Sequence, residues 1–315
     1  MTHLVSHWPA SLVVLVLCGL VMALHLTGLR RLRCTGGAAD GSQGGANPAR
    51  EAAAFYGGLL AAAIAVLPPV AYWSGSYLWV RALQDLLLAV VAPSLIVLGA
   101  PWLALAAGLT AAAHRRPGRA SRRRPARLGA AWRLAWPVGA TVVFNIVWLG
   151  WHLPVLYDAA VTSQAARYAE YATFLAAGIW FWLQLIGSRP SSPAAPPPRR
   201  LALLIGTAAA DTVLGMVLVF GSALLYPAYA GPARGLSLVI ADQQLAGAVL
   251  WMGILPSLII AAVAILMTWL DNEERDDPSR DLERLTTPRP AGWPSSGGSG
   301  VAGWPSRTRY RPPAA

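Results

Sequence analysis

The sequence predicts an all-α membrane protein, a bundle of seven transmembrane helices with its N-terminus outside and its C-terminus inside. Hydrophobic residues make up 56% of the 315 residues and charged residues only 12%. A helix needs about 20 apolar residues to cross about 30 Å of hydrocarbon. Seven stretches reach that length, and they run roughly over 8–29, 54–73, 78–98, 134–151, 168–187, 201–220 and 243–270.

The distribution of arginine predicts the orientation of these helices. The chain has 25 basic residues, and 22 of them follow the first, third or fifth stretch or lie in the C-terminal tail. Arg81, Arg167 and Arg234 fall on the opposite side. Because cytoplasmic loops carry an excess of basic residues, the arginine-rich side is predicted to be cytoplasmic. The net charge of +11 is thereby explained by topology and by contact with anionic membrane lipids, and no nucleic acid is expected as a partner.

The chain divides into a membrane domain, residues 1–270, and a cytoplasmic tail, residues 271–315. The tail becomes rich in Gly, Pro and Ser, a composition that cannot bury a core, so it is expected to be largely disordered. Cys18 and Cys34 form neither a disulfide framework nor a Cys-x-x-Cys metal signature.

Ionisable and polar side chains inside the predicted helices are the first candidates for function, because they are costly in a membrane. At 1.5 Å per residue, they all fall in the outer half of the bundle. They could line one polar cavity that opens to the outside, or form structural ion pairs that hold helices three, five and six together. We call them the outer-half polar residues, and they are Arg81, Asp85, Arg167, Glu170, Tyr171 and Asp211.

Three motifs carry a family resemblance over about residues 50–270. The first runs Trp151-His152-Leu153-Pro154-Val155-Leu156-Tyr157-Asp158. The second is Asp242-Gln243-Gln244-Leu245-Ala246-Gly247, preceded by Leu225-Tyr226-Pro227-Ala228-Tyr229. The third comprises Gln84, Leu86-Leu87-Leu88, Val91-Ala92-Pro93 and Val97-Leu98-Gly99-Ala100-Pro101. Together they resemble the CtaG family, the caa3-type cytochrome c oxidase assembly factors.

The resemblance implies a protein of about seven helices in the bacterial cell membrane that takes part in the maturation of haem–copper oxidases. Cytochrome c oxidase subunits and membrane lipids would be its partners, and copper would be handled for the oxidase. The family pattern carries histidines on the outer side, spaced His-x-x-x-His on helix three and His-x-x-Glu-His at the start of helix five. Imidazoles at such spacings can converge on one copper ion.

This sequence departs from that pattern at almost every histidine. The helix-three pair maps to Arg81 and Asp85, and the helix-five set maps to Arg167, Glu170 and Tyr171. Asp211 also stands where relatives often have histidine. His152 is the one remaining candidate metal ligand, and arginine cannot ligate a metal because it stays protonated. Either the metal site has become a salt-bridge network, or it holds another ion or works by contact alone; the charges favour the network.

The expected function is therefore a membrane-integral assembly factor for haem–copper cytochrome c oxidase, a chaperone that delivers copper or acts as a scaffold at the outer face. No nucleophile–base pair, phosphate-binding loop or redox-cofactor motif is apparent, so an enzyme is not expected. The alternative is a transporter or binding protein for a small cation or coupled to protons, because a cavity with carboxylates could carry such ions. Against it, the sequence shows no inverted repeat.

Overall fold

The computed structural model describes residues 8–34, 48–112, 130–188, 195–230 and 235–276. Within these ranges the chain is helical and contains no strand, which confirms the all-α class. The helices are α1 (Trp8–Cys34), α2 (Pro48–Val66), α3 (Val70–Trp73), α4 (Leu78–Leu86), α5 (Ala92–Leu98), α6 (Trp102–Ala112), α7 (Ala130–Trp151), α8 (Pro154–Thr162), α9 (Gln164–Leu185), α10 (Pro197–Phe220) and α11 (Leu236–Asp276).

The chain forms two compact units, Met1–Trp269 and Leu270–Ala315. The predicted disordered tail falls largely on residues 277–315, which lie outside the described residues.

Five of the described helical segments are long and apolar enough to cross a membrane. A bent pair, Trp136–Trp151 with Pro154–Thr162, would make a sixth span, with an angle of 69° between its two parts. Helix α9 has 22 residues and reaches about 33 Å, but it is not among these spans. The seven crossings and their orientation therefore stay a prediction. The five spans are Val14–Cys34, Pro48–Val66, Leu78–Leu98, Pro197–Phe220 and Leu236–Glu274.

The third span, Leu78–Leu98, lies at the centre of the bundle. Its apolar window is 72% buried, against 28% or less in the other four. The span is not a regular α-helix, because Leu87–Val91 forms a π-helical turn between α4 and α5. Pro93 lies just after this turn, and its missing N–H leaves the carbonyl of the residue four positions earlier without its helical partner. Proline inside a helix usually interrupts it, and here a π turn takes up the interruption.

Helix α9 packs directly on this interruption. A Cβ atom at Gly178 would overlap the carbonyl oxygen of Ala89 and the ring of Pro93. The absent side chain therefore lets α9 approach the third span at backbone distance. This approach places the start of α9 beside α4, where the polar residues of the two helices meet.

Several helix boundaries differ from those expected, and two of the differences bear on the site. Helix α2 ends at Val66 because Pro68 and Pro69 follow, and only a single turn of helix, α3, resumes at Val70. Helix α11 begins at Leu236, so Asp242 and its neighbours lie in its second turn rather than at its start. The additional turn carries them deeper into the bundle.

Candidate functional site

A buried polar cluster forms where α4, α8 and α9 meet the break between α7 and α8. We call it the Arg81 cluster. Pro154 occupies the first turn of α8, a position that proline favours, and the bend ahead of it turns the chain so that His152 points inward. Each member of the cluster is at most 4% exposed. The members are Arg81, Asp85, His152, Tyr157 and Glu170.

The guanidinium of Arg81 organises the cluster. Its Nη2 donates a hydrogen bond to Oε2 of Glu170, while its Nε lies 3.8 Å from Oδ1 of Asp85. Its Cζ lies 4.7 Å from the ring centroid of Tyr157, a cation–π distance. Arg81 and Asp85, which lie four residues apart on α4, form an ion pair, but the direct hydrogen bond of Arg81 goes to Glu170 of α9.

His152 faces the carboxylate of Asp85. Its Nδ1 lies 2.7 Å from the carbonyl oxygen of Trp148, and because a carbonyl can only accept, Nδ1 carries the hydrogen. The Nε2 atom has no hydrogen-bond partner and lies 3.8 Å from Oδ2 of Asp85. The hydroxyl of Tyr157 donates to that same Oδ2 at 3.2 Å. Asp85 is therefore surrounded by an imidazole, a phenol and a guanidinium.

Arg167 directs its hydrogen bonds away from the carboxylates of the cluster and acts on Glu170 only through its charge. Its Nε donates to the carbonyl oxygen of Ala160 at 3.0 Å and its Nη2 to that of Val161 at 2.9 Å. These carbonyls lie in the last turn of α8, where a cation is favoured by the unsatisfied backbone acceptors. The Arg81 cluster consequently contains one guanidinium and two carboxylates.

Tyr171 and Asp211 lie beside the cluster rather than within it. The hydroxyl of Tyr171 accepts a hydrogen bond of 2.8 Å from Nε2 of Gln84, which also donates to the carbonyl oxygen of Ala65 at 2.5 Å. Asp211 of α10 is 0% exposed, and neither of its carboxylate oxygens has a hydrogen-bond partner. Its interacting neighbour is the indole of Trp148. Asp211 is thus a second, separate buried acidic group.

Two tyrosines of the loop 221–230 close one side of the cluster. Tyr226 donates to the carbonyl oxygen of His152 and Tyr229 to that of Ser74, each at 2.9 Å. Their ring centroids lie 4.6 and 6.3 Å from that of Tyr157. Burial raises the pKa of both phenols above the ordinary value, so they stay neutral hydrogen-bond donors. Both lie in a quoted motif, but no local pattern in the sequence places them beside the cluster.

The Asp242-Gln243-Gln244 motif braces the backbone around the cluster. The carboxylate of Asp242 accepts from the first two backbone N–H groups of α4, at 3.1 and 3.3 Å. It therefore caps that helix from another helix, since Tyr77 at the N-cap makes no side-chain bond. Gln243 bonds the loop 221–230 twice, accepting from Leu225 N–H at 2.9 Å and donating to the oxygen of Ala223 at 3.0 Å. Gln244 reaches the oxygen of Gly221 at 3.5 Å.

The remaining motif residues lie at the start of α8 and the end of α7. Trp151 donates from its indole to the hydroxyl of Thr173 at 2.9 Å, and this bond ties α7 to α9. Asp158 is half-buried and interacts with the backbone N–H of Ala228. Beside these anchored groups, the first turn of α8 leaves apolar side chains exposed, with Leu153 at 57% and Val155 at 81%.

The donor set at the cluster does not fit a copper ion. Among the described residues, no three His, Cys, Asp or Glu side chains are arranged to hold a metal. His152 offers one imidazole nitrogen, and the carboxylates nearest to it are engaged by a guanidinium that stays protonated. One imidazole with carboxylates suits soft Cu(I) poorly. The ion pairs and hydrogen bonds of the cluster join α4, α8 and α9.

A helical chain with several membrane-length helices and a buried ionic cluster is an integral membrane protein. Residues 7–272 match the pattern of a family described as the cytochrome c oxidase caa3 assembly factor, CtaG. The chain belongs to this family, which confirms the resemblance carried by its motifs. No curated protein and no solved structure matches the chain.

Proposed function

We propose that this member of the family assists cytochrome c oxidase assembly as a scaffold, by contact with oxidase subunits in the cell membrane, and not by carrying copper at the Arg81 cluster. The observation that carries the proposal is the position of Arg81. Its guanidinium lies between Asp85 and Glu170, where the family resemblance implies imidazole ligands. The guanidinium of Arg81 thus balances the charge of the carboxylates, as a bound metal ion would otherwise do.

The cluster serves this function by fixing the shape of one end of the bundle. It connects α4, α8 and α9, and the tyrosines of the loop 221–230 and the cap from Asp242 brace the same elements. Polar contacts of this kind join helices in a membrane, where lipid and side chains are equally apolar. The result is a rigid end on which the first turn of α8 presents its apolar side chains.

The exposed turn Leu153–Leu156 is the proposed contact surface. Val155 is 81% exposed and Leu153 57%, while Tyr157, one residue beyond this turn, is buried in the cluster. An apolar turn held on a rigid base is suited to contact a membrane-embedded partner. In the proposed topology of seven crossings with the C-terminus inside, this turn lies at the outer face.

Deletion of the gene, followed by complementation, tests the proposal. We expect oxidase activity to fall on deletion, to return with the unaltered chain or with His152→Ala, and to stay low when copper alone is added. Val155→Asn should restore activity poorly although the protein accumulates normally. Ile146→Asn serves as the matched control, because Ile146 is 65% exposed on α7, away from this turn.

Metal analysis of the purified protein provides the opposing result. One copper per chain that disappears in His152→Ala, or rescue of the deletion strain by copper, would replace the scaffold proposal with copper delivery.

A second candidate function is handling of protons or a small cation. It is favoured by the excess of one carboxylate in the Arg81 cluster and by the complete burial of Asp211, whose interacting neighbour is the neutral indole of Trp148. Buried carboxylates of this kind mark ion pathways in membrane proteins. Normal oxidase activity in the deletion strain, together with altered uptake of a cation, would favour this function over assembly.

A further inference from the structure

An apolar cavity of about 590 Å³ lies on the side of the bundle that α1 covers. Its walls come from α1, α2, the third span, α6 and α9, and the lining side chains recur every three or four residues along the helices, so that each helix presents one face. On α2 the lining runs from Phe55 to Val66, and on α9 from Tyr168 to Ile179. The cavity therefore follows the helices lengthwise.

The length of the cavity corresponds to one lipid tail. The lined segments of α2 and α9 each extend over 11 residue steps, which is about 16 Å at 1.5 Å per residue. A hydrocarbon core of about 30 Å contains two layers of tails, so one tail spans roughly 15 Å. Three of the walls, those from α1, α2 and the third span, belong to membrane-length helices, so the cavity lies at the depth of the tails.

The wall formed by α1 is held closely by α6. A Cβ atom at Gly28 would overlap the backbone of Ala104, and one at Gly108 would overlap that of Leu24. The two helices therefore run antiparallel at backbone contact. Because α1 is fixed in this way, it can stand off from α9 without collapsing onto it, and an empty apolar space there would leave its lining without contacts.

The chemistry of the lining distinguishes between possible occupants. Water needs two to four polar partners in a cavity, whereas the lining side chains are almost all apolar. A single flexible hydrocarbon chain satisfies both the length and the chemistry of the cavity.

Basic residues lie beyond one end of the cavity. His25 of α1 bonds the hydroxyl of Tyr56 of α2 at 3.0 Å, so the end of α1 and the start of α2 lie at the same end of the bundle. Arg30, Arg33 and Arg50 follow there and are exposed. Clusters of arginine next to a membrane helix attract anionic lipid headgroups.

We propose that the cavity binds one acyl chain of an anionic phospholipid whose headgroup contacts Arg30, Arg33 and Arg50. The acyl chain lies between α1 and α9 and packs against Tyr171. Since Tyr171 also holds Gln84 beside the Arg81 cluster, the bound lipid supports α9 at the residue next to Glu170. The site is thus a structural lipid site, independent of whether the protein delivers copper or acts as a scaffold.

Native mass spectrometry of the full chain in mild detergent tests the proposal with phosphatidylglycerol and phosphatidylcholine. The unaltered protein should retain one phosphatidylglycerol, at least fivefold more tightly than phosphatidylcholine. Ala62→Trp, which fills the cavity, should lose this lipid. Leu60→Trp is the matched control, because Leu60 lies on the same helix, is 60% exposed and does not line the cavity. Equal retention by both variants would overturn the site.

The arginines and the cavity can be tested without a bulky side chain. Replacing Arg30, Arg33 and Arg50 by Gln should abolish the preference for phosphatidylglycerol, and an unchanged preference would overturn the headgroup contact. In a Cys34→Ser background, Cys18 of the cavity wall reports on occupancy. Phosphatidylglycerol should slow its alkylation by a small maleimide at least fivefold, and an unchanged rate would show that the cavity holds no lipid tail.

Discussion

Replacing Arg81 by Met removes the charge of the cluster while keeping most of the volume of the side chain. At the 3.8 Å between Arg81 Nε and Asp85 Oδ1, an effective dielectric constant of 20 gives an attraction of about 4 kcal/mol. The hydrogen-bonded contact with Glu170 is at least as strong, because both partners are charged. Arg81→Met therefore leaves two buried carboxylates without a cation.

Breaking a buried ion pair by removing one partner costs about 3–5 kcal/mol. At roughly 2–4 °C per kcal/mol for a chain of this size, the melting temperature in detergent should fall by about 10 °C. The double variant Arg81→Met with Glu170→Met should lose less than the single variant, because one uncompensated carboxylate remains instead of two. Asp85→Asn should be nearly neutral, since the hydrogen-bonded Arg81–Glu170 pair then balances itself.

Thermal melting of the purified variants measures these effects, and a double-mutant cycle isolates the coupling between Arg81 and Glu170. Arg167→Met is the control, because it removes an arginine that caps α8 and should cost only about 1 kcal/mol. An unchanged melting temperature in Arg81→Met, or a double variant that loses the sum of the two single effects, would refute the ionic network.

Three further predictions concern the surroundings of the cluster. Asp242→Ala should destabilise the protein by about 0.5–2 kcal/mol, the cost of a lost helix cap, and a melting curve checks it. Gly178→Ala should also lower the melting temperature, because overpacking a tight contact costs about 1–3 kcal/mol. Raising the pH through about 10 should destabilise the fold, because burial raises the pKa of Tyr229 in the folded protein. The contribution of this phenol to stability is complete below its pKa in the unfolded chain and is lost as the pH rises above that value.

Each of these has a matched comparison. Asp242→Asn keeps a carbonyl oxygen as acceptor and should retain most of the stability. Gly206→Ala should stabilise slightly, because a Cβ atom there meets nothing within 4 Å and alanine favours the helix; a loss equal to that of Gly178→Ala would contradict the close approach to Ala89. Tyr229→Phe should reduce the loss of stability at alkaline pH. If stability still falls with pH at the same slope, this phenol is not the source of the loss.

The positions of the charges illustrate how far the sequence could predict the site. The four-residue spacing predicted that Arg81 and Asp85 share a helical face, and they form an ion pair. The partner that hydrogen-bonds Arg81, Glu170, lies 89 positions away, and no local pattern links the two. Arg167 precedes Glu170 by one helical turn and was grouped with it. Its long side chain instead reaches the end of α8, because two unsatisfied carbonyls there accept its hydrogen bonds.

Composition and periodicity by themselves determined that this chain is helical and membrane-embedded, because the membrane requires long apolar segments whose backbone groups bond internally. Its motifs were sufficient to indicate the family. The tertiary structure decided which charged side chains meet and where an apolar cavity remains. It also decided that two carboxylates share one guanidinium in the Arg81 cluster. These depend on contacts between helices distant in sequence, set by a π turn at Pro93, a glycine at 178 and a cap from Asp242, and local patterns carry no information on such distances.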